Sequence, residues 1–209
     1  MKSYTLDKKF LSFRRAFAKI RHHEKGSVLV ELAMMLPVTL MLALGGFELY
    51  RFLLIQQKIT QTTMSLANLI SQNQMLTGNI IQNTFDAVDH IMEPYDIEGN
   101  GKVIITTVVG NGGDGMVDYQ CSPAGNYDGP SKVGTTGSTA NLGILGTDFT
   151  LDDGETTVIA ELYYDYKPFL ANGGNFIENN VFTDTQLYKV AAYKPRFGSL
   201  PLTDSCDGA

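Results

Sequence analysis

Between Gly26 and Ile55 the chain reads GSVLVELAMMLPVTLMLALGGFELYRFLLI. The sixteen residues from Leu32 to Phe47 carry no charge, and the twenty from Val28 to Phe47 carry only Glu31. Twenty helical residues rise about 30 Å, the thickness of a bilayer's hydrocarbon core. The alternative is a helix buried in a soluble domain. Such helices rarely stay apolar on every face for so long, because one side normally meets water. The stretch therefore predicts a transmembrane helix over residues 27–55, flanked by a leader of residues 1–26 and a domain of residues 56–209.

The two flanks differ in charge. Residues 1–26 hold eight Lys or Arg against Asp7 and Glu24, a net of +6, while residues 56–209 hold seven basic and eighteen acidic residues, a net of −11. Basic flanks of a span stay in the cytoplasm. The leader is therefore expected inside and the acidic domain exported. The basic arm abuts the span and its charge already has a topological role, so no nucleic-acid partner is expected. The acidic balance favours solubility and disfavours an anionic ligand. The exported part, roughly 150 residues, is one domain's worth of chain. Both cysteines, Cys121 and Cys206, lie in it. An even count in an oxidising compartment predicts a disulfide, with two free thiols as the alternative.

Within the leader, Phe10, Phe13, Phe17 and Ile20 have helical spacing. That fits a basic amphipathic stretch on a membrane surface as well as a disordered tail. His22 and His23 are adjacent, cannot share a helical face and lack a second pair of ligands, so no metal site is expected there. Gly26 sits directly before the apolar run and supplies a flexible joint at which a protease can bind extended backbone. Glu31 is costly inside a span unless it reaches the cytoplasmic interface, and an intramembrane carboxylate points to function. Pro37 removes the helical hydrogen bond to the Ala33 carbonyl and predicts a bend. Glu48 and Arg51, three apart, can pair on one helix face at the membrane interface.

Gly26, Glu31 five residues on, and an apolar run containing Pro37, Gly45–Gly46, Glu48 and Arg51 resemble the start of the TadE/TadF family. These are the pseudopilins of the bacterial tight-adherence (Tad, or Flp) pilus. The resemblance implies cleavage by a prepilin peptidase between Gly26 and Ser27, with Glu31 part of the recognised motif. Related motifs often place an aromatic after this Glu, where the present chain has Leu32. It also implies that Glu31 pairs with the new N-terminal amine of a neighbouring subunit, which would offset the cost of two charges in an apolar bundle. The implied role is that of a minor pseudopilin acting in pilus assembly and surface adherence. The implied partners are the inner membrane, the prepilin peptidase, other pilins or pseudopilins, and Tad assembly proteins.

Beyond the span, Phe52, Ile55, Ile59, Leu66 and Ile70 keep a helical spacing, and no Pro or Gly interrupts Phe47 to Thr77. This stripe predicts packing on the protein's own sheet, with a coiled-coil seam as the alternative. A second helix is expected from about Asn79 to Met92, buried along Ile81, Phe85, Val88 and Met92 and ended by Pro94. Strands are expected at Lys102–Val109, Met116–Cys121, Thr156–Tyr166 and Leu187–Tyr193, with residues 122–155 a long loop. In Thr156–Tyr166, Val158, Ala160, Leu162, Tyr164 and Tyr166 face one way, and Thr157, Glu161 and Asp165 the other. Helices followed by strands imply an α+β, pilin-like domain with a mainly antiparallel sheet. The stretches YDIEGNGKVIITTV, TVIAELYYDYKPFL and LYKVAAYKPRFGS are also similar to the later part of TadE-like proteins.

Other constellations point to no chemistry. Asp96, Glu98, Asn100 and Gly101 roughly follow half of a calcium loop, but the twelfth position is Thr107 in place of the bidentate Glu. His90, near Asp86 and Asp89, has no marked nucleophile and fits a solvated helix face. GNGGDG is not followed by the Lys-Ser/Thr of a phosphate cradle. Tyr163–Tyr166 could stack on a ligand, though an alternating strand explains them. The expectation is a non-enzyme without metal or cofactor. A secreted or membrane-anchored periplasmic binding protein is the alternative, with Ala43-Leu44-Gly45 as a passable signal-peptide cleavage site.

Overall fold

The computed structural model describes residues 27–122, 129–147, 149–168, 184–203 and 206. The chain divides into two compact units, residues 1–50 and 51–209, and one helix, α1 (Ser27–Ser71), contributes to both. Every described side chain from Val28 to Leu44 is exposed. The helix is unbroken at Pro37. Just beyond the proline, the Thr39 hydroxyl lies within hydrogen-bonding distance of the Leu36 and Met35 carbonyls, at 3.0 and 3.1 Å.

In the second unit the spacing of apolar residues on α1 becomes a buried stripe. Ile55, Ile59, Leu66 and Ile70 are buried and Phe52 packs against the same core. The following helix, α2 (Gly78–Met92), starts where Thr77 caps it, the Thr77 side chain accepting from the Ile80 N–H. Such a cap satisfies one of the amides left free at a helix start. Its buried face carries Ile81, Phe85, Val88 and Met92. Two polar contacts also join the helices: Thr62 Oγ1 to Met92 Sδ at 3.3 Å, and the Lys58 ammonium to the Glu93 carbonyl. A cis Glu93–Pro94 bond leads to the one-turn helix α3 (Ile97–Asn100).

The strands are β1 (Gly101–Asn111), β2 (Asp114–Cys121), β3 (Thr139–Ala140), β4 (Thr156–Tyr166) and β5 (Thr185–Tyr193). They form one sheet in the order β3-β2-β1-β4-β5, and every pairing is antiparallel. The register between β1 and β2 slips after Thr107, which faces Tyr119 while Val108 faces Val117, leaving Asp118 as an extra residue on β2. The architecture is α+β, with a candidate membrane-spanning helix leading into it.

Alternation along the strands gives the sheet two apolar faces. Val103, Ile105, Tyr119, Val158, Ala160, Leu162 and Tyr164 meet the core residues of α1 and α2. Val108, Val117 and Ile159 form a second cluster with Val133, Ala140, Leu142 and Leu151. The stretch expected to be a plain loop over residues 122–155 thus supplies an edge strand, a short 3-10 turn at Leu142–Ile144, and the cover of that second face. Burial on both sides explains why β4 is buried at ten of its eleven positions, with only Asp165 partly exposed.

Candidate functional site

Gly26 lies outside the described residues, as does the side chain of Ser27, whose backbone begins α1. Glu31 is exposed on α1, about one turn in from Ser27. Around and beyond it, large apolar side chains project outward: Met34 is 74 % exposed and Met41 76 %. A soluble monomer rarely shows so long an apolar surface, and at about 25 cal/mol per Å² its transfer out of water is strongly favourable. None of the apolar window of this helix is buried, which disagrees with the soluble-core alternative; by length and composition it is able to cross a membrane. At Gly45 and Gly46 an added Cβ would meet nothing within 4 Å, so nothing in the chain's own packing demands a glycine at either place.

Glu48 is buried and Arg51 is half-buried, one helical turn apart on α1. Cys121, the last residue of β2, and Cys206 form a disulfide with their Cα atoms 5.2 Å apart, across 85 residues of sequence. Leader residues including Phe10, Phe13, Phe17, Ile20, His22 and His23 lie outside the described residues.

Asp96 caps α3, its Oδ1 accepting from the Gly99 N–H at 2.8 Å, so the first carboxylate of the supposed calcium loop shapes a turn. His90 is exposed in the last turn of α2, and Asp86 accepts from Gln82 Nε2 at 3.0 Å. Among the described residues no group of three or more His, Cys, Asp or Glu is placed to hold a metal ion. Tyr164 and Tyr166 belong to the core, and each packs edge-on against an aromatic of the helical layer or its connection, Tyr95 and Phe52 respectively.

One cluster escaped the sequence reading. Glu161, in the middle of β4, is fully buried. Its Oε1 accepts from the Lys132 N–H at 2.9 Å, the Tyr188 hydroxyl at 2.9 Å and the Tyr163 hydroxyl at 3.3 Å. Its Oε2 accepts from the Ser131 hydroxyl. The Lys132 ammonium stands 3.9 Å from the Tyr188 ring centroid, a cation–π contact. Burial, together with the neighbouring carboxylate, pushes the Tyr188 hydroxyl well above its ordinary pKa. Four donors around one carboxylate compensate its loss of water, and they bind the segment that covers the sheet to the sheet itself. A lone Glu within a β-branched and aromatic strand was the available signal. Apart from Tyr163 on the same strand, however, its donors come from a loop thirty residues upstream and from the neighbouring strand. The arrangement is that of an anchor, with the carboxylate's oxygens taken up by hydrogen bonds to the covering segment and the neighbouring strand.

Residues 26–68 match the model of a family described as TadE-like protein. The matched segment holds Gly26, Glu31, Pro37, Glu48 and Arg51 and ends near the close of α1. The later stretches that resemble the family are outside it. No curated protein and no solved structure matches the chain. The TadE-like segment agrees with the resemblance read from the sequence and lies along the apolar helix that is long enough to cross a membrane.

Proposed function

We propose that this chain is a minor pseudopilin of a Tad pilus. It is a single-pass protein of the bacterial inner membrane, its N-terminus cytoplasmic and its C-terminal domain periplasmic. A prepilin peptidase cuts after Gly26, and the mature subunit acts with other pilins and Tad assembly proteins in pilus assembly and surface adherence. Its contribution is assembly without catalysis. The observation that carries this reading is that the TadE-like segment begins at Gly26 and runs along a helix whose apolar residues from Val28 to Leu44 are exposed. Exposed apolar side chains suit lipid before assembly and neighbouring pilin helices after it. Glu31 fits the same reading: a plain anchor has no need of a carboxylate costing about 2.5–3.5 kcal/mol at mid-membrane. Glu48 and Arg51 are proposed as an interfacial pair where the helix leaves the membrane.

The test is processing in cells that carry the whole pilus system. Gly26→Arg should leave a precursor heavier by the 26-residue leader, because a large side chain blocks close approach to the backbone. Glu31→Leu should insert at least as well as wild type yet fail in processing or in supporting pili. Normal size and normal pilus counts for both variants would reduce Gly26 and Glu31 to anchor residues. Sequencing of the mature N-terminus separates the alternatives: Ser27 for a pseudopilin, Gly46 for a secreted binding protein, Met1 for an uncleaved anchor.

A further inference from the structure

After β5 the chain turns back and crosses elements far from it in sequence. The Arg196 N–H donates to the carbonyl of Ser71, the last residue of α1, at 2.8 Å. The Leu76 N–H, in the connection between α1 and α2, donates to the Pro201 carbonyl at 2.9 Å. The Leu76 carbonyl in turn accepts from the Thr203 N–H at 2.9 Å and the Thr203 hydroxyl at 3.0 Å. These bonds make a short parallel bridge between Leu76 and Leu202. On the other side, the Tyr119 hydroxyl of β2 donates to the Leu200 carbonyl at 2.9 Å. Cys206 then closes onto Cys121 at the end of the same strand. Leu76 and Leu200 are both buried. Residues 195–203 with Cys206 therefore form a strap between the helix–helix connection and β2, and both backbone groups of Leu76 bond to it.

We propose that this strap is a clasp and that Cys121–Cys206 is its latch. With the latch closed, the strap holds the far end of α1 and the start of α2 against the sheet. With it open, the strap detaches and the α1–α2 connection becomes mobile, while the sheet keeps its fold. The physical reason lies in the distribution of contacts. The sheet is held by its own ladders and by two apolar clusters, whereas the strap is a single irregular segment held by a few hydrogen bonds and the leucines beneath it. Ordering such a segment costs conformational entropy at every residue. The covalent bond offsets this by keeping the strap's end beside β2, so that each local opening closes again. On the proposed export, the latch is set outside the cytoplasm by exchange with an oxidised dithiol protein. The two cysteine thiols become the disulfide, and the partner's disulfide becomes two thiols. That timing rests on the proposed function; the clasp does not.

Hydrogen exchange read by mass spectrometry tests it on the full chain in detergent. The protein is compared as purified, after dithiothreitol, which reduces the bond to two thiols and is itself oxidised to its cyclic disulfide, and as Cys206→Ser. Peptides holding Leu76 and Leu202–Thr203 should exchange at least about tenfold faster in the second and third samples, with those of β1 and β4 unchanged. Equal protection of the strap in all three samples would mean that the strap needs no latch. Loss of protection in β1 and β4 together with the strap would mean that the bond stabilises the whole domain and no separate clasp exists. Alkylation of both cysteines in the untreated protein would also overturn the proposal. Loss or retention of processing at Gly26 leaves this measurement untouched, so the two readings fail separately.

Discussion

At the scale of single residues, the second unit is most sensitive where polar groups are buried with complete sets of partners. Glu161 accepts from Ser131, Lys132, Tyr163 and Tyr188. Glu161→Leu would remove the acceptor of these donors, at about 1–3 kcal/mol for each one that water cannot reach, although the Tyr163 hydroxyl keeps the Pro130 carbonyl at 3.3 Å. The expected loss is on the order of 2–3 kcal/mol in denaturant unfolding. Glu161→Gln keeps one oxygen for the Oε1 partners and should lose clearly less; equal losses would argue against the hydrogen-bonding account. Tyr119 carries a pH dependence. Desolvation raises its pKa from 10.0 to about 12. The folded state therefore holds the phenolic proton more tightly than the unfolded chain. The stability linked to it is complete below pH 10 and falls as pH rises from about 10 to about 12, by an amount on the order of 2–3 kcal/mol. Tyr119→Phe should lack this part of the alkaline loss, so the gap between wild type and variant should narrow from pH 9 to pH 11.5. A constant gap would show that the hydroxyl does not titrate with folding. Tyr164 and Tyr188, also raised, keep some alkaline loss in the variant.

At the scale of elements, those with one strong local pattern were legible. The stripe from Phe52 to Ile70, the face Ile81–Met92 and the strand Thr156–Tyr166 all lie where their periodicity puts them, because each helix buries one face at its own repeat and the strand turns its larger apolar set toward the helices. Strand ends were less legible: β1, β2 and β5 each begin one or two residues before the expected positions, since the polar or glycine residues there join the ladder through backbone pairing that carries no apolar signal. Residues 122–155 were not legible as a cover for the sheet. Val133, Leu142 and Leu151 recur nine residues apart, a spacing that matches neither the helix nor the strand repeat, and it is the sheet face of Val108, Val117 and Ile159 that gives them something to bury against. The direction of α1 across a membrane also belongs to this scale. With +6 over residues 1–26 and −11 over residues 56–209, a reporter active only outside the cytoplasm and fused after Ala209 should be active. A stably made but inactive fusion would refute the proposed orientation.

At the scale of the whole molecule, the sequence by itself determined the features that depend on neighbours along the chain. These are the apolar helix of membrane-spanning length, the succession of helices and strands, and the motif from Gly26 to Arg51 that the TadE-like match overlaps. Composition and spacing are sufficient there because hydrophobic length, charge and periodicity are read within one element at a time. Only the tertiary structure decided which residues far apart in sequence share a site. It placed Ser131 and Lys132 on Glu161, and it brought Pro201 and Thr203 to Leu76. Most of these contacts use a backbone group of an irregular segment, which every residue carries, so side-chain identity leaves little trace of them. Their positions follow from the sheet order β3-β2-β1-β4-β5, which sets the faces and edges that such segments must cover.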